Sequence, residues 1–455
     1  MMILTDLLTK IQSFFLTENQ RRTQSIKVEQ HAKDIVIYLQ EGNWESLHQQ
    51  LVFPLRLFIT KHVLEYGWKT LTSMAGPLKP IGSPEVHAGW PLSRISVPLQ
   101  SERLSLALTL WMTWSGKLIT LQVGPRLSHP WKAPSYASAN SRSVSLTLGH
   151  GLRRVGATLT LPLTRNPGDE GFPCVILIGG SGPVDRDSTV GSSKPFKDLA
   201  LGLAAHNISV CRFDKRASTL LGKLTMSKKT ATLTDEYVYH VIDAIQKIRR
   251  VPEINPERIF LLGHSLGTLI AARLASLDTS VAGCILMAAP SEPIYRCAIR
   301  QLNYLESSDS SEKPPVDASK EVPAESDMLK DLRKQADVAD RPHLDLSTPA
   351  KQLPFGIGPA YWLEYRTFDV METLKDIRKP VLVLQGERDY QVTATEDYTR
   401  LHEKFSALPN FRFRQFKNLN HLFISGQGPP TPLEYFSPGN VEADVITEIQ
   451  RWVHE

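Results

Sequence analysis

The sequence predicts an α/β protein: a mostly parallel eight-stranded sheet with helices on both faces, preceded by a small α+β domain. Three observations carry that expectation. Of the 455 residues, 42% are apolar, enough for a full hydrophobic core and too many for a disordered chain. From residue 141 onward, short apolar runs alternate with stretches of helical period, the pattern of parallel strands joined by helical crossovers. Six of the eight tryptophans (Trp44, Trp68, Trp90, Trp111, Trp114, Trp131) precede residue 132, and residues 124–141 then turn rich in Pro, Ser and Ala. A boundary belongs there. The expected division is an N-terminal domain over 1–130, a linker over 131–141, and a second domain over 142–455 with a lid-like insertion at 291–367.

In the first part, residues 25–75 carry helix-period pairs such as Ile35 with Leu39 and Leu47 with Leu51. Residues 93–123 alternate as strands do: Leu104, Leu106, Leu108 and Leu110, then Ile119, Leu121 and Val123 around a Ser115-Gly116 turn. Its aromatic residues read as core rather than as a binding cage.

In the second part the strand candidates run 144–148, 157–161, 174–178, 209–213, 259–262, 283–287, 381–384 and 412–416. Helical patterns fill the gaps at 235–250, 266–277 and 440–452. The stretch 306–326 is Ser/Pro/acidic and too polar to pack, so it reads as a mobile loop within the insertion. Tyr361, Trp362 and Tyr365, near the insertion's end, have two readings: lining for an acyl pocket, or packing.

Charge and composition exclude several classes. Lys+Arg 52 against Asp+Glu 47 leaves +5, with the basic residues scattered, so nucleic acid is not an expected partner. No run approaches the roughly 18 apolar residues of a membrane span. The opening stretch, interrupted by Asp6 and Lys10, reads as an amphipathic helix rather than a secretion signal. Cys174, Cys211, Cys284 and Cys297 show no CxxC spacing, and three of them sit in apolar runs where a thiol acts as a small core residue. That suits a reducing compartment, and a cytoplasmic location is expected. The Asn207-Ile208-Ser209 sequon falls at the start of a buried strand, where a glycan has no room.

The chemistry concentrates at Gly263-His264-Ser265-Leu266-Gly267, between the apolar strand 258–262 and the helical stretch from Thr268. This is G-x-S-x-G in strand-turn-helix context, where a bend too tight for side chains at 263 and 267 exposes the Ser oxygen. The competing reading is a Gly-rich turn with an idle hydroxyl. A serine needs a base, and the base needs an acid to orient it. Asp389, in Gly386-Glu387-Arg388-Asp389 after the strand 381–384, is the expected acid; Glu387 is its rival, and Asp397 reads as a solvated helix position. Among the histidines that follow, His402 lies in an amphipathic helical stretch and His454 is penultimate. His421, in a loop directly after the strand ending at Phe416, is the expected base.

An oxyanion hole is also required. Its expected donors are the backbone N–H groups of Leu266 and of Ser181, the latter in the loop Gly179-Gly180-Ser181-Gly182-Pro183. That loop lacks the third spaced glycine of a dinucleotide site.

Six blocks together resemble one family. They are the segment 179–187 (GGSGPVDRD), Pro195-Phe196-Lys197-Asp198-Leu199-Ala200, Arg212-Phe213-Asp214-Lys215-Arg216, the GHSLG elbow, the segment 384–392 (LQGERDYQV), and Leu419-Asn420-His421-Leu422-Phe423. Their order over about residues 142–455 resembles that of the bacterial α/β-hydrolase serine esterases that carry a small N-terminal domain. The resemblance implies an α/β-hydrolase fold, a Ser265, Asp389, His421 triad, cleavage of small-molecule carboxylic esters, and neither metal nor organic cofactor. Two features depart from the family pattern: Gly179 stands where its loops begin with histidine, and the polar insertion at 306–326 is unusual. Asp185, Arg186 and Asp187 read either as a buried ion pair bracing the oxyanion loop or as an exposed charged turn. An acyltransferase, thioesterase or macrocyclising enzyme would use the same acyl-enzyme, and a binding protein could keep the fold without catalysis.

Overall fold

Strands and helices alternate from Ser141 onward in the computed structural model, which describes residues 18–52, 56, 61–81, 83–88, 92–101, 105–125, 131–137, 140–164, 170–227, 229–311 and 326–455. The chain divides into two compact units, Met1–Pro130 and Trp131–Glu455.

The first unit holds the helices Glu18–Glu41, Trp44–Gln50 and Lys61–Ala75 and an antiparallel sheet of β1 (Lys79–Pro80), β2 (Glu85–His87), β3 (Leu92–Gln100), β4 (Ser105–Thr113) and β5 (Leu118–Pro125). The first helix buries Val28, Ala32, Ile35, Val36 and Leu39, a stripe at helical spacing. It ends at Gly42, whose φ of +67° a residue with a side chain rarely adopts. Between β4 and β5 the register slips after Trp111, so that Met112 pairs with Leu118 and Ile119 is left over. This bulge turns Leu118 into the core. Trp44, Trp68, Trp111 and Trp114 are only half-buried, so the aliphatic residues rather than the expected aromatics form this core. Trp90, Leu104 and residues 1–17, where the sequence reads as an amphipathic helix, lie outside the described residues.

The second unit contains all eight predicted strands: β6 (Ser141–Leu148), β7 (Val155–Pro162), β8 (Phe172–Ile178), β9 (Ser209–Phe213), β10 (Ile254–His264), β11 (Val281–Met287), β12 (Val381–Gly386) and β13 (Phe411–Phe416). Their spatial order is β13-β12-β11-β10-β8-β9-β7-β6. The six from β9 to β13 in that row are parallel, while β7 and β6 are antiparallel additions at one edge. Strand β8 shows the reason for burial on both faces. Cys174, Ile176 and Ile178 join one apolar cluster with the helices Tyr239–Ile248 and Gly267–Leu277, while Val175 and Leu177 join another with the helices Pro195–Ala204 and Ala443–His454. Each such side chain contributes about 1.5–3 kcal/mol on full burial. All four cysteines are free and buried.

Several details depart from the sequence-based expectation. The segment expected as a linker is bonded to the second unit: Trp131 Nε1 donates to Asp198 Oδ1 at 2.9 Å, and the Tyr136 hydroxyl donates to the Val441 carbonyl at 2.5 Å. Large aromatics with a polar tip find such partners where Pro and Ser alone would not. The insertion between β11 and β12 carries the helices Ile294–Ser311, Asp327–Ala339, Pro359–Tyr365 and Val370–Asp376. The first of these extends through Ser311, into the stretch expected to be loop; residues 312–325 lie outside the described residues. Tyr361, Trp362 and Tyr365 are packing: Trp362 is fully buried against Tyr295, Tyr361 and Tyr365 at ring separations of 5.2–5.6 Å.

Candidate active site

Strand β10 ends at His264 and the next helix begins at Gly267, so Ser265 sits on the bend between them. Its φ is +53°, a left-handed conformation that costs a non-glycine residue about 1–3 kcal/mol and persists only where neighbours enforce it. The Ser265 N–H donates to the Met287 carbonyl at 2.9 Å, while its own carbonyl accepts from the Thr268 N–H and hydroxyl. A Cβ at Gly263 would lie 2.3 Å from the Gly267 carbonyl oxygen, and one at Gly267 would lie 2.3 Å from that of Ile178. The two glycines therefore let the bend close against the end of β8.

Asp389 follows β12 and is buried. Its Oδ1 accepts from the backbone N–H groups of Gln391 (2.8 Å) and Val392 (3.0 Å), and its Oδ2 faces His421 Nδ1 at 2.7 Å with Gln385 Nε2 at 3.3 Å. These donors hold the carboxylate in one orientation. Opposite a carboxylate oxygen, Nδ1 is the protonated nitrogen, which leaves Nε2 of His421 as an acceptor. Glu387, the rival acid, is exposed.

Asp397 is not the solvated helix residue the sequence reading expected. It is fully buried, accepts from the Ser291 and Thr393 N–H groups, and pairs with Arg300. A guanidinium from the helix Ile294–Ser311 supplies what local periodicity could not reveal. Together with Glu292 and Cys297, Asp397 forms the one group among the described residues close enough to hold a metal ion. Arg300 pairs with both of its carboxylates and already supplies the positive charge.

His421 stands in a turn after β13, shaped by Asn420, whose Oδ1 accepts from the Leu422 and Ile424 N–H groups. His402 lies in the helix Thr399–Phe405 against Tyr398 and Phe413, and His454 Nε2 faces the His206 carbonyl. Ser265 and His421 line one cavity of about 180 Å³, with Gly180, Ser181, Val184 and Leu422 among the other walls. Of the expected oxyanion residues, Ser181 lines this cavity and Leu266 directly follows Ser265. A Cβ at Gly180 would lie 3.1 Å from Ser265 Cβ, and Leu266 begins the turn into the helix, whose positive end lies beneath the bend.

The charged run after this loop fits neither of its two readings fully. Arg186 grips both oxygens of Asp214, and Asp187 pairs with Lys194 and the buried Arg212, but the side chains of Asp185, Arg186 and Asp187 themselves are half-buried rather than wholly buried or exposed. Four contributors escaped the sequence reading. His264 packs its ring against that of His421, and burial together with the neighbouring imidazole pushes its pKa down to about 3, so it is neutral. Gln385 braces Asp389, and Lys215 with Tyr237 contacts the Gly180 carbonyl. The available signal for Lys215 was a lysine two positions past an apolar strand.

Known proteins resemble this chain in sequence and in fold. The family described as the alpha/beta hydrolase fold matches residues 224–425, a span that includes Ser265, Asp389 and His421. Esterase EstD of Thermotoga maritima is 28% identical over 427 residues, covering 93% of this chain and 95% of its own. Among solved structures, an esterase of Pyrococcus furiosus is 18% identical with a TM-score of 0.41, over 72% of this chain and 97% of that one. Est1E from Butyrivibrio proteoclasticus is 14% identical with a TM-score of 0.41, over 68% and 99%. The chain is thus similar to the alpha/beta hydrolase fold over residues 224–425 and to an esterase over 93% of its length.

Proposed function

We propose that this protein hydrolyses small-molecule carboxylic esters through an acyl-enzyme formed on Ser265. The observation that carries the reading is the 2.7 Å contact between His421 Nδ1 and Asp389 Oδ2, on an imidazole that shares a cavity with Ser265. The similarity to an esterase over 93% of the chain supports the same chemistry.

The steps follow from the roles these groups can take. Nε2 of His421 accepts the Ser265 hydroxyl proton as Oγ bonds to the ester carbonyl carbon, and the carbonyl π electrons move to oxygen. The oxyanion accepts hydrogen bonds from the N–H groups of Leu266 and Ser181. When the intermediate collapses, the bond to the alkoxy group breaks and His421 returns the proton to the departing alcohol. Water then gives its proton to His421 and adds to the acyl-enzyme, releasing the acid and restoring Ser265. Asp389 keeps Nδ1 protonated throughout and stabilises the imidazolium.

The test is labelling with a fluorophosphonate, followed by turnover of a chromogenic ester with and without an added alcohol, amine or thiol acceptor. Labelling of the wild type, loss of the label in Ser265→Ala, and release of free acid are expected. Labelling that persists in the variant removes Ser265 from its role. Product that appears only when an acceptor is supplied makes the enzyme an acyltransferase instead.

A further inference from the structure

The Gly-rich loop after β8 is gripped from behind by a buried polar cluster. The carbonyl oxygen of Gly180 accepts from Lys215 Nζ at 3.0 Å and from the Tyr237 hydroxyl at 2.7 Å. Lys215 also donates to the Tyr237 oxygen at 2.5 Å and pairs with Glu236 Oε1 at 3.0 Å, so all three ammonium hydrogens are used. The second Glu236 oxygen accepts from the Tyr361 hydroxyl at 3.2 Å. Lys215 is 3% exposed and Tyr237 fully buried. Burying an ammonium group costs several kcal/mol, and burial pushes Lys215 below its ordinary pKa while Glu236 opposes the shift. Such a cost calls for a return, and the hydrolytic steps described above make no use of this charge.

The peptide joining Gly180 to Ser181 supplies the connection. In a trans peptide the C=O and N–H bonds are coplanar and point in opposite directions, so whatever grips the carbonyl oxygen also aims the amide hydrogen. The loop cannot do this alone, because three of its first four residues are glycine and Gly182 has φ of +79°. We propose that Lys215 and Tyr237 are positioning residues of the oxyanion hole, gripping the Gly180 carbonyl so that the Ser181 N–H faces the oxygen on which charge develops as Ser265 attacks. A cation behind the carbonyl also polarises the amide and strengthens its N–H as a donor. The proposal rests on the acyl-enzyme reading above.

The experiment compares wild type, Lys215→Met and Tyr237→Phe on a p-nitrophenyl ester and on its thionoester, with melting temperature as a check of folding. The thionoester develops charge on sulfur, a weaker hydrogen-bond acceptor, and so gains less from an aimed N–H. Lys215→Met is expected to lower kcat on the oxoester about 10- to 100-fold. KM should stay within about threefold, the pattern of an interaction made only in the transition state. The preference for oxoester over thionoester should narrow as well. Tyr237→Phe should give a smaller loss of the same kind. A lower folded fraction alone would slow both substrates equally and leave the preference intact. A folded Lys215→Met with unchanged kcat and preference overturns the proposal; where that variant does not fold, an unchanged Tyr237→Phe overturns it. If the wild type neither turns over an ester nor takes a fluorophosphonate label, the acyl-enzyme reading fails and the clamp with it. Active wild type with unaffected variants refutes the clamp alone.

Discussion

Nε2 of His264 lies 2.8 Å from the backbone carbonyl oxygen of His421, and the two rings stand 4.7 Å apart. The residue before the elbow serine is thereby tied to the loop that carries the proposed base. A carbonyl only accepts, so Nε2 of His264 is the donor. With its pKa lowered from 6.5 to about 3, the folded protein resists a proton that the unfolded chain accepts.

That difference sets a pH dependence. Between pH 6.5 and about 3 the unfolded state binds more protons at this site, so stability falls on acidification by up to about 1.4 kcal/mol per pH unit. Above pH 6.5 the group contributes no slope. His264→Gln keeps a donor without titrating, so its unfolding free energy, measured by urea denaturation from pH 7 to 4, should fall more gently than that of the wild type. Equal slopes would contradict the buried neutral state.

Replacing either end of the proton path should nearly abolish turnover. Ser265→Ala and His421→Ala are expected to lower kcat by several orders of magnitude, up to about a millionfold, and the double variant should be scarcely worse than either. Steady-state kinetics on a chromogenic ester decide the matter, and a loss under about tenfold would remove that residue from the mechanism.

The two buried acids near β12 should separate by phenotype. Asp389→Asn can no longer favour the Nδ1–H tautomer of His421, and kcat should drop by about 10⁴-fold with little change in melting temperature. Asp397→Asn takes one of three carboxylate partners from Arg300 and should cost about 1–3 kcal/mol of stability while kcat per folded molecule is retained. The reverse pattern would exchange their roles.

The elbow glycines should be intolerant for reasons of space. Gly267→Ala drives a methyl group to 2.3 Å from the Ile178 carbonyl oxygen and should destabilise by about 1–3 kcal/mol or more. Gly182 meets nothing within 4 Å, so Gly182→Ala carries only the cost of its φ of +79°, about 1–2 kcal/mol. Denaturant midpoints that rank the two the other way would refute the packing argument.

The eight strands were readable because each is a short apolar run between turn residues, and the elbow because tight bends admit few side chains. Asp389 and His421 stood out as polar residues directly after strands, where the parallel sheet delivers them to one edge. Asp397 misled because its partner Arg300 is distant in sequence, and helical period alone placed it in solvent. The bulge at Ile119 was hidden for a related reason: a register slip depends on the opposing strand.

By itself the sequence determined the strand–helix alternation, the elbow and the order of serine, acid and histidine, all of which are properties of neighbouring residues. Only the tertiary structure decided which carboxylate meets His421, that His264 is buried against it, and that Lys215 and Tyr237 grip Gly180. Those relationships join residues 32 to 157 positions apart, and hydrogen bonds and desolvation act through distance in space, to which the order of the chain is blind.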